Sequence, residues 1–266
     1  MTSLVPPRFV RTLALAMATA TAVLATVAHA DDGDAEGPPI TPYRPTVSDP
    51  AQLPAPGQLE LELGGQRTSG SGANRTSPPY LLKLAFNDEW GLLIGGDAYV
   101  WMQQDGGRAE GSGDTNLTLK RAWIVDSASA FGMELEVKLP TANDVIGSGK
   151  ADYTVTGIYS RDFGPVHMDA NFGATQLGRI DPGSARTQLN AATAFSTALS
   201  EHFGVTGEVS GTHRDGADAS LQFLVALTFS PSKRLTFDLG VARTVKSNPA
   251  TNSVFTGVVL PLARLW

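Results

Sequence analysis

The stretch FGMELEVKL at residues 131–139 alternates apolar side chains with polar or small ones at every position. The stretch QLELEL at residues 58–63 repeats this pattern, and residues 221–229 and 235–241 carry an apolar side chain at every second position. Successive side chains of a β-strand point to opposite faces. Each stretch therefore predicts a strand with one apolar face and one polar face.

About twelve such strands are expected after Gln58, and the connections between them are alternately long and short. The predicted strands are 58–67, 80–86, 91–103, 114–125, 131–139, 150–161, 166–176, 188–199, 205–212, 220–229, 235–243 and 253–266. The long connections are 68–79, 104–113, 140–149, 177–187, 213–219 and 244–252. Transmembrane barrels have short periplasmic turns and longer external loops, and a tilted strand needs roughly 9–11 residues to cross a bilayer.

These features predict an all-β fold, an antiparallel up-and-down transmembrane β-barrel of about 12 strands over residues 58–266. A soluble β-sandwich or lipocalin-like barrel is the alternative, because its strands also alternate between a packed face and a wet face. The low charged fraction, 17% of 266 residues, and the 28 glycines favour the membrane barrel.

The first 30 residues have the pattern of a secretory signal peptide. Arg8 and Arg11 supply a positive start, residues 13–27 are apolar but too short to span a bilayer, and residues 28–30 (AHA) form a small-residue cleavage site. The whole chain has a formal charge of −6 and no cysteine. We therefore predict export through a cleaved signal peptide to the outer membrane of a Gram-negative bacterium.

Residues 31–57 contain seven prolines and almost no hydrophobic periodicity. Such a stretch favours extended, hydrated conformations and cannot form a β-ladder. We interpret it as a mobile Pro-rich periplasmic arm. The alternative is that it folds into the pore or docks on a partner.

The sequence contains no pattern that indicates catalysis, a cofactor or a metal. The absence of cysteine excludes a thiolate metal site and a cysteine nucleophile. The histidines after the signal lack metal-ligand spacing; they are His167, His202 and His213. The stretch GSGK at residues 147–150 lacks the first glycine and the following Ser or Thr of a phosphate loop. We therefore expect no enzyme activity and no cofactor, and the acidic charge argues against nucleic acid as a partner.

If the apolar rows face lipid, the opposite rows line a lumen. The predicted lining residues are Glu60, Glu62, Lys83, Asp97, Asn116, Lys120, Glu134, Glu136, Lys138, Asp152, His167, Asp169, Glu208 and Asp238. Buried charges must be paired or hydrated, so this set predicts a wet interior with cross-strand ion pairs, one of them between Lys120 and the Glu134 region. A barrel of this size predicts a narrow channel that slightly favours cations if no plug intervenes. A sealed structural barrel is the alternative.

Aromatic residues gather near the ends of the predicted strands, where a membrane barrel carries its interfacial girdles. The predicted girdle comprises Tyr80, Trp90, Trp123, Phe131, Tyr153, Phe229 and Trp266, and Phe255 is expected beside it. The terminal aromatic residue resembles the C-terminal signal of bacterial outer-membrane barrels. Pro261 removes a ladder donor from the last strand, and we expect a bulge there.

Several short segments carry a family resemblance. They are GSGDTNLTLK at residues 111–120, LPTA at 139–142, GSGKAD at 147–152 leading into YSRDFG at 159–164, and Glu208 in its short strand. They resemble the outer-membrane family named for a putative MetA pathway of phenol degradation. The resemblance implies a twelve-stranded barrel and a transporter of small compounds, aromatic ones included.

The function expected from these features is an outer-membrane channel for the passive passage of small organic solutes. Its expected partners are outer-membrane lipid, the small-molecule solute and the barrel-assembly machinery. The alternative is a structural, secretion or adhesion barrel that acts through its loops and its N-terminal arm.

Overall fold

A computed structural model describes residues 37–104, 106–246 and 250–266. The predicted signal peptide, 1–30, and the start of the predicted arm, 31–36, lie outside the described residues. In the part of the chain that is described, no helix is long and apolar enough to cross a membrane.

The described residues form fifteen β-strands, of which twelve close into an antiparallel barrel. The strands are β1 (Gln58–Gly70), β2 (Ala73–Ser77), β3 (Pro79–Ala85), β4 (Trp90–Asp97), β5 (Val100–Gln104), β6 (Gly107–Gly111), β7 (Thr115–Ile124), β8 (Ser129–Leu139), β9 (Asp152–Phe163), β10 (Val166–Gln176), β11 (Thr187–Ala198), β12 (Phe203–His213), β13 (Ser220–Ser232), β14 (Leu235–Thr244) and β15 (Thr251–Arg264). The barrel order is β1, β3, β4 and then β7 through β15. β1 pairs with β15 from Gln58 opposite Arg264 to Gly70 opposite Thr251, which closes the sheet. The predicted barrel of about 12 strands is confirmed.

The other three strands extend the sheet beyond the barrel wall. The outer part of β1 pairs with β2, β2 pairs with β5, and β5 pairs with β6. The predicted long loops 68–79 and 104–113 are therefore largely strand, which corrects the expectation. Their polar and glycine-rich residues have little apolar alternation, so the pattern that revealed the other strands is missing here.

Short turns join the strands at one end of the barrel, which we call the turn end; the opposite end is the loop end. Side chains close two of these turns. Asn87 accepts hydrogen bonds from the amides of Glu89 and Trp90 at 2.9 and 2.8 Å. Asp126 accepts one from the amide of Ala128 at 2.8 Å, and this bond holds the pKa of Asp126 below its usual value.

The two faces of the barrel wall differ in polarity. Large apolar side chains of the alternating rows point outward and are exposed: Phe223, Val225 and Leu227 on β13 have exposed fractions of 47%, 57% and 51%. The residues between them point inward, and Leu224 and Ala226 are buried. The inward rows of β1, β3, β7 and β8 carry charged residues, many of them buried.

The last strand has an irregularity next to its proline. Leu59 faces Ala263, whereas Glu60 faces Pro261, so the register of β1 and β15 shifts by one residue at Leu262. This is where a bulge was expected. The expectation that Phe255 lies beside the aromatic girdle is wrong. This residue points inward, is 7% exposed and packs with Leu224, Ala226 and Ala242.

The Pro-rich segment lies inside the barrel. Residues 38–266 form one compact unit, and residues 41–51 contact inward-pointing side chains of β1, β3, β7, β9, β10, β12 and β14. These strands surround the barrel axis, so a segment that touches all of them must occupy the lumen. The interpretation of residues 38–57 as a mobile periplasmic arm is therefore wrong, and the alternative of insertion into the pore describes this part of the chain.

Candidate functional site

The arm, residues 38–57, enters and leaves the lumen at the turn end. At its start, the amide of Ile40 donates to the carbonyl of Lys233 in the β13–β14 turn at 3.0 Å. At its end, the amide of Gly57 donates to the carbonyl of Ala85 at 3.0 Å. Between these points the arm rises to the middle of the strands and returns, so it fills the turn-end half of the lumen.

Two glutamates of β1 bind the first part of the arm. The amide of Thr41 is 3.2 Å from both carboxylate oxygens of Glu60. Glu62 accepts from the amide of Tyr43 at 2.7 Å and from the amide of Arg44 at 3.1 Å. Because proline prevents the arm from forming a ladder, side-chain oxygens of the wall supply the acceptors that its buried amides require.

The middle of the arm is held from the opposite wall. Oε2 of Glu208 accepts hydrogen bonds from the amide of Val47 at 2.9 Å and from the amide and hydroxyl of Ser48, both at 2.8 Å. The side chain of Asn171 makes two bonds with the backbone of Asp49, accepting from its amide at 2.8 Å and donating to its carbonyl at 2.9 Å.

An ion pair joins the arm to β14. Arg44 Nε lies 2.8 Å from Asp238 Oδ2, and Arg44 Nη2 lies 3.0 Å from Asp238 Oδ1. The guanidinium also lies against Gly64 and Gly257, where a β-carbon would come within 2.6 and 2.2 Å of it. Both glycines therefore leave room for this two-bond contact.

The descending part of the arm contacts β7 and β9. Lys120 Nζ donates to the carbonyl of Pro50 at 2.6 Å, and the amide of Ala51 donates to the hydroxyl of Ser160 at 2.7 Å. Ser160 in turn donates to Asp169. Ala51 also packs on Ala130 and Ile158, both inward and buried.

Two fully buried lysines form ion pairs with three of the glutamates near the arm. Lys83 Nζ lies 3.1 Å from Glu60 Oε2 and 2.6 Å from Glu62 Oε1. Lys120 Nζ lies 2.8 Å from Glu134 Oε1, so the expected ion pair between Lys120 and the Glu134 region is present.

A cavity of about 360 Å³ opens on the loop-end side of the arm. Its charged lining comprises Asp49, Arg75, Asp97, Glu134 and Glu136. Arg75 pairs with Asp97, and Glu136 accepts a hydrogen bond from the Thr118 hydroxyl at 3.3 Å. Among the described residues no ion pair involves Glu136, so the lining has an excess of negative charge.

The structure brings most of the predicted lining residues together on the inner face. Seven of them are buried beside the arm: Glu60, Glu62, Lys83, Lys120, Glu134, Glu208 and Asp238. Asp97, Asn116 and Glu136 line the cavity. Lys138 pairs with Asp152 at 2.6 Å nearer the loop end. His167 and Asp169 lie towards the turn end, 3.1 Å apart.

The predicted aromatic girdle falls near both ends of the barrel. Tyr153, Phe131 and Trp266 are 60%, 50% and 58% exposed, while Tyr80 and Trp90 are half-buried. Phe229 stacks outside the wall with Phe203, with ring centroids 4.9 Å apart. The guanidinium carbon of Arg121 lies over the ring of Trp123, 4.7 Å from the centroid of that ring.

The sequence prediction missed the arm residues that bind the wall, above all Tyr43, Arg44 and Ser48. One signal was available. Ala130, Gly132 and Ile158 interrupt the inward polar rows with small or apolar side chains, which indicates that something packs against that wall.

No three His, Asp or Glu side chains in the described residues are grouped as metal ligands. No protein-family model matches the sequence, and no curated protein matches it. The resemblance to the MetA-pathway family therefore stays a prediction.

Solved structures share the fold at low sequence identity. An outer membrane channel from Pseudomonas putida F1 has a TM-score of 0.65 and 14% identity, with 84% of this chain and 100% of that one covered. The NanC porin has a TM-score of 0.57 and 12% identity, covering 76% and 100%. The KdgM porin has a TM-score of 0.54 and 11% identity, covering 76% and 99%. At these identities the likeness establishes a common barrel fold.

Proposed function

We propose that the chain is an outer-membrane channel for the passive passage of small organic solutes, aromatic ones included, and that its N-terminal arm restricts the turn end. The observation that carries this proposal is the direction of the two rows of side chains. Apolar residues such as Val225 and Leu239 point outward, and charged residues such as Lys120 and Glu208 point inward.

This arrangement suits lipid outside and water inside. Soluble monomers rarely expose contiguous apolar patches larger than a few hundred Å², whereas here apolar side chains cover the outer wall on successive strands. A soluble lipocalin-like barrel would place its apolar rows inside. The fold shared with the porins supports the same placement in the outer membrane, where lipid and the barrel-assembly machinery are the expected partners.

The arm explains how such a channel can stay closed. It binds the wall through many hydrogen bonds and through the Arg44–Asp238 ion pair, which water can replace. When the arm leaves, Glu60, Glu62, Glu208 and Asp238 lose arm partners and face the lumen. The open channel then favours cations.

A sealed barrel that acts through its loops and arm is the second candidate, and it is favoured by the filling of the turn-end half of the lumen. Planar-bilayer recording of the purified protein and of a variant lacking residues 38–56 separates the two. We expect brief openings from the full chain and a lasting, cation-selective conductance from the variant. A variant that migrates on gels as a folded, heat-modifiable barrel yet conducts nothing would favour the sealed barrel.

A further inference from the structure

The ring of Tyr43 lies close to two lysines of the barrel wall. Lys83 Nζ lies 4.2 Å and Lys120 Nζ lies 4.1 Å from the ring centroid. The Tyr43 residue is 2% exposed, and both lysines are fully buried. A cation this close to an aromatic face is attracted to it, and the attraction is stronger where water is excluded.

The two lysines belong to the barrel, whereas the ring belongs to the arm. The hydroxyl of Tyr43 donates to the carbonyl of Gln52 at 2.8 Å, within the arm itself. The wall therefore contacts the aromatic face of the ring and leaves the hydroxyl to the arm. We call Lys83 and Lys120 the lysine clamp.

The lysine clamp suits a neutral ring. Lys83 is already paired with Glu60 and Glu62, and Lys120 is paired with Glu134. An additional anion would have to displace these carboxylates or lie beside them, which like-charge repulsion opposes. A neutral aromatic face needs only the quadrupole attraction and keeps the ion pairs intact.

Solutes can reach the ring from the loop end. A cavity of about 150 Å³ borders Tyr43 and Glu62. It shares Asp49 and the β3 residues 79–81 with the larger cavity of about 360 Å³. The two spaces therefore adjoin each other and extend from the loop-end half of the lumen to Tyr43.

We propose that the lysine clamp is the ring-binding site of the channel and that Tyr43 occupies it as a tethered competitor. A neutral aromatic solute of about the size of phenol replaces the Tyr43 ring, which releases the first part of the arm. This inference rests on the proposed function, because it names the site at which an aromatic solute opens the channel.

Binding to full-length protein in detergent micelles tests the site without any transport. Tyr43→Ala empties the lysine clamp, and phenol is the probe, observed by saturation-transfer NMR. Cyclohexanol is the matched probe, because it has a similar size and hydroxyl but no aromatic face. Tyr43→Leu is the matched variant, because its side chain fills the space without a ring.

We expect Tyr43→Ala to bind phenol about tenfold more tightly than wild type or Tyr43→Leu does, and about tenfold more tightly than it binds cyclohexanol. Equal phenol binding by wild type and Tyr43→Ala would overturn the proposal. Equal binding of phenol and cyclohexanol by Tyr43→Ala would also overturn it, because an unspecific apolar hole would explain the result.

A second measurement uses the unaltered protein, in case the variants do not fold. Phenol is expected to raise the open fraction of wild-type channels in a planar bilayer, while cyclohexanol leaves it unchanged; the same response to both would contradict the proposal. If Tyr43→Ala binds phenol but the protein shows no conductance, the proposed channel function is contradicted while the ring-binding site is supported. If the protein conducts but Tyr43→Ala binds no phenol, the ring-binding site is contradicted while the channel function is supported.

Discussion

Arg44 and Asp238, 194 residues apart in the chain, form a two-bond ion pair inside the barrel, with Arg44 Nε 2.8 Å and Nη2 3.0 Å from the two carboxylate oxygens. Asp238 is nearly fully buried, with its side chain 2% exposed. A planar guanidinium matches a carboxylate in this geometry better than an ammonium does. The pair therefore fixes both the position and the orientation of the arm.

Arg44→Ala is expected to destabilise the closed state by about 3 kcal/mol, because it leaves Asp238 without its partner until water enters. This corresponds to about a hundredfold rise in the ratio of open to closed channels. Arg44→Lys should have a smaller effect in the same direction. Single-channel recording gives the ratio directly, and an unchanged open fraction in Arg44→Ala would show that the pair does not hold the arm.

Glu208 should control the middle of the arm. Glu208→Ala removes the acceptor of three hydrogen bonds from Val47 and Ser48, whereas Glu208→Gln keeps one oxygen acceptor. We expect Glu208→Ala to make closing less favourable by roughly 1–3 kcal/mol, which raises the open fraction of the channels. Glu208→Gln should raise the open fraction less.

Glu136→Gln is the matched control for Glu208, because its carboxylate accepts a hydrogen bond from Thr118 and none from the arm in the described residues. It should leave the open fraction unchanged. Equal open fractions in Glu208→Ala and Glu136→Gln would contradict the assigned role of Glu208.

Two neighbouring glycines of β1 offer a test that leaves the wall intact. A β-carbon at Gly64 would lie 2.6 Å from the Arg44 guanidinium, whereas one at Gly65 would meet nothing within 4 Å. Gly64→Ala should push the guanidinium away from Asp238 and raise the open fraction, while Gly65→Ala should behave as wild type. Barrel stability, measured by heat-modifiable gel mobility, should be similar in the two variants. If Gly64→Ala and Gly65→Ala had the same open fraction, the contact between Gly64 and Arg44 would not hold the arm closed.

The outward rows predict a strong effect of charge at the middle of the wall. Val225→Arg should lower the free energy of unfolding from lipid vesicles by roughly 2–4 kcal/mol, since this residue would face hydrocarbon. Val145→Arg is the control, because Val145 is 64% exposed in the β8–β9 connection. Urea titration in vesicles measures both, and equal losses would argue against a lipid-facing wall.

The barrel strands could be predicted because alternation is a local property. The rows at residues 131–139 and 221–229 show which residues share a face without any knowledge of their partners. The same alternation placed Lys120 and Glu134 on the inner face, and adjacent strands bring them to 2.8 Å. The strands β2 and β6 were missed because their residues carry no such alternation, and the predicted strand 91–103 is in fact divided into β4 and β5.

The position of the arm could not be predicted from local pattern. Proline fixes the arm in extended conformations but does not determine which surface it lies against. Its partners Asn171, Glu208 and Asp238 follow more than a hundred residues later, on strands that meet only when the sheet closes. The inward acids predict a hydrated lumen, whereas three of them, Glu60, Glu62 and Glu208, accept hydrogen bonds from arm amides.

The central claim, that the arm closes the channel from within the lumen, is tested most directly by a reversible covalent lock. The chain has no cysteine, and a β-carbon at Gly132 would lie 3.4 Å from that of Ala51, close to the separation found in disulfides. The double variant Ala51→Cys/Gly132→Cys is recorded in a planar bilayer before and after reduction, with Ala51→Cys alone as the control. The account predicts silent channels when the pair is oxidised and wild-type openings after reduction. A disulfide that forms but leaves the conductance unchanged would contradict it.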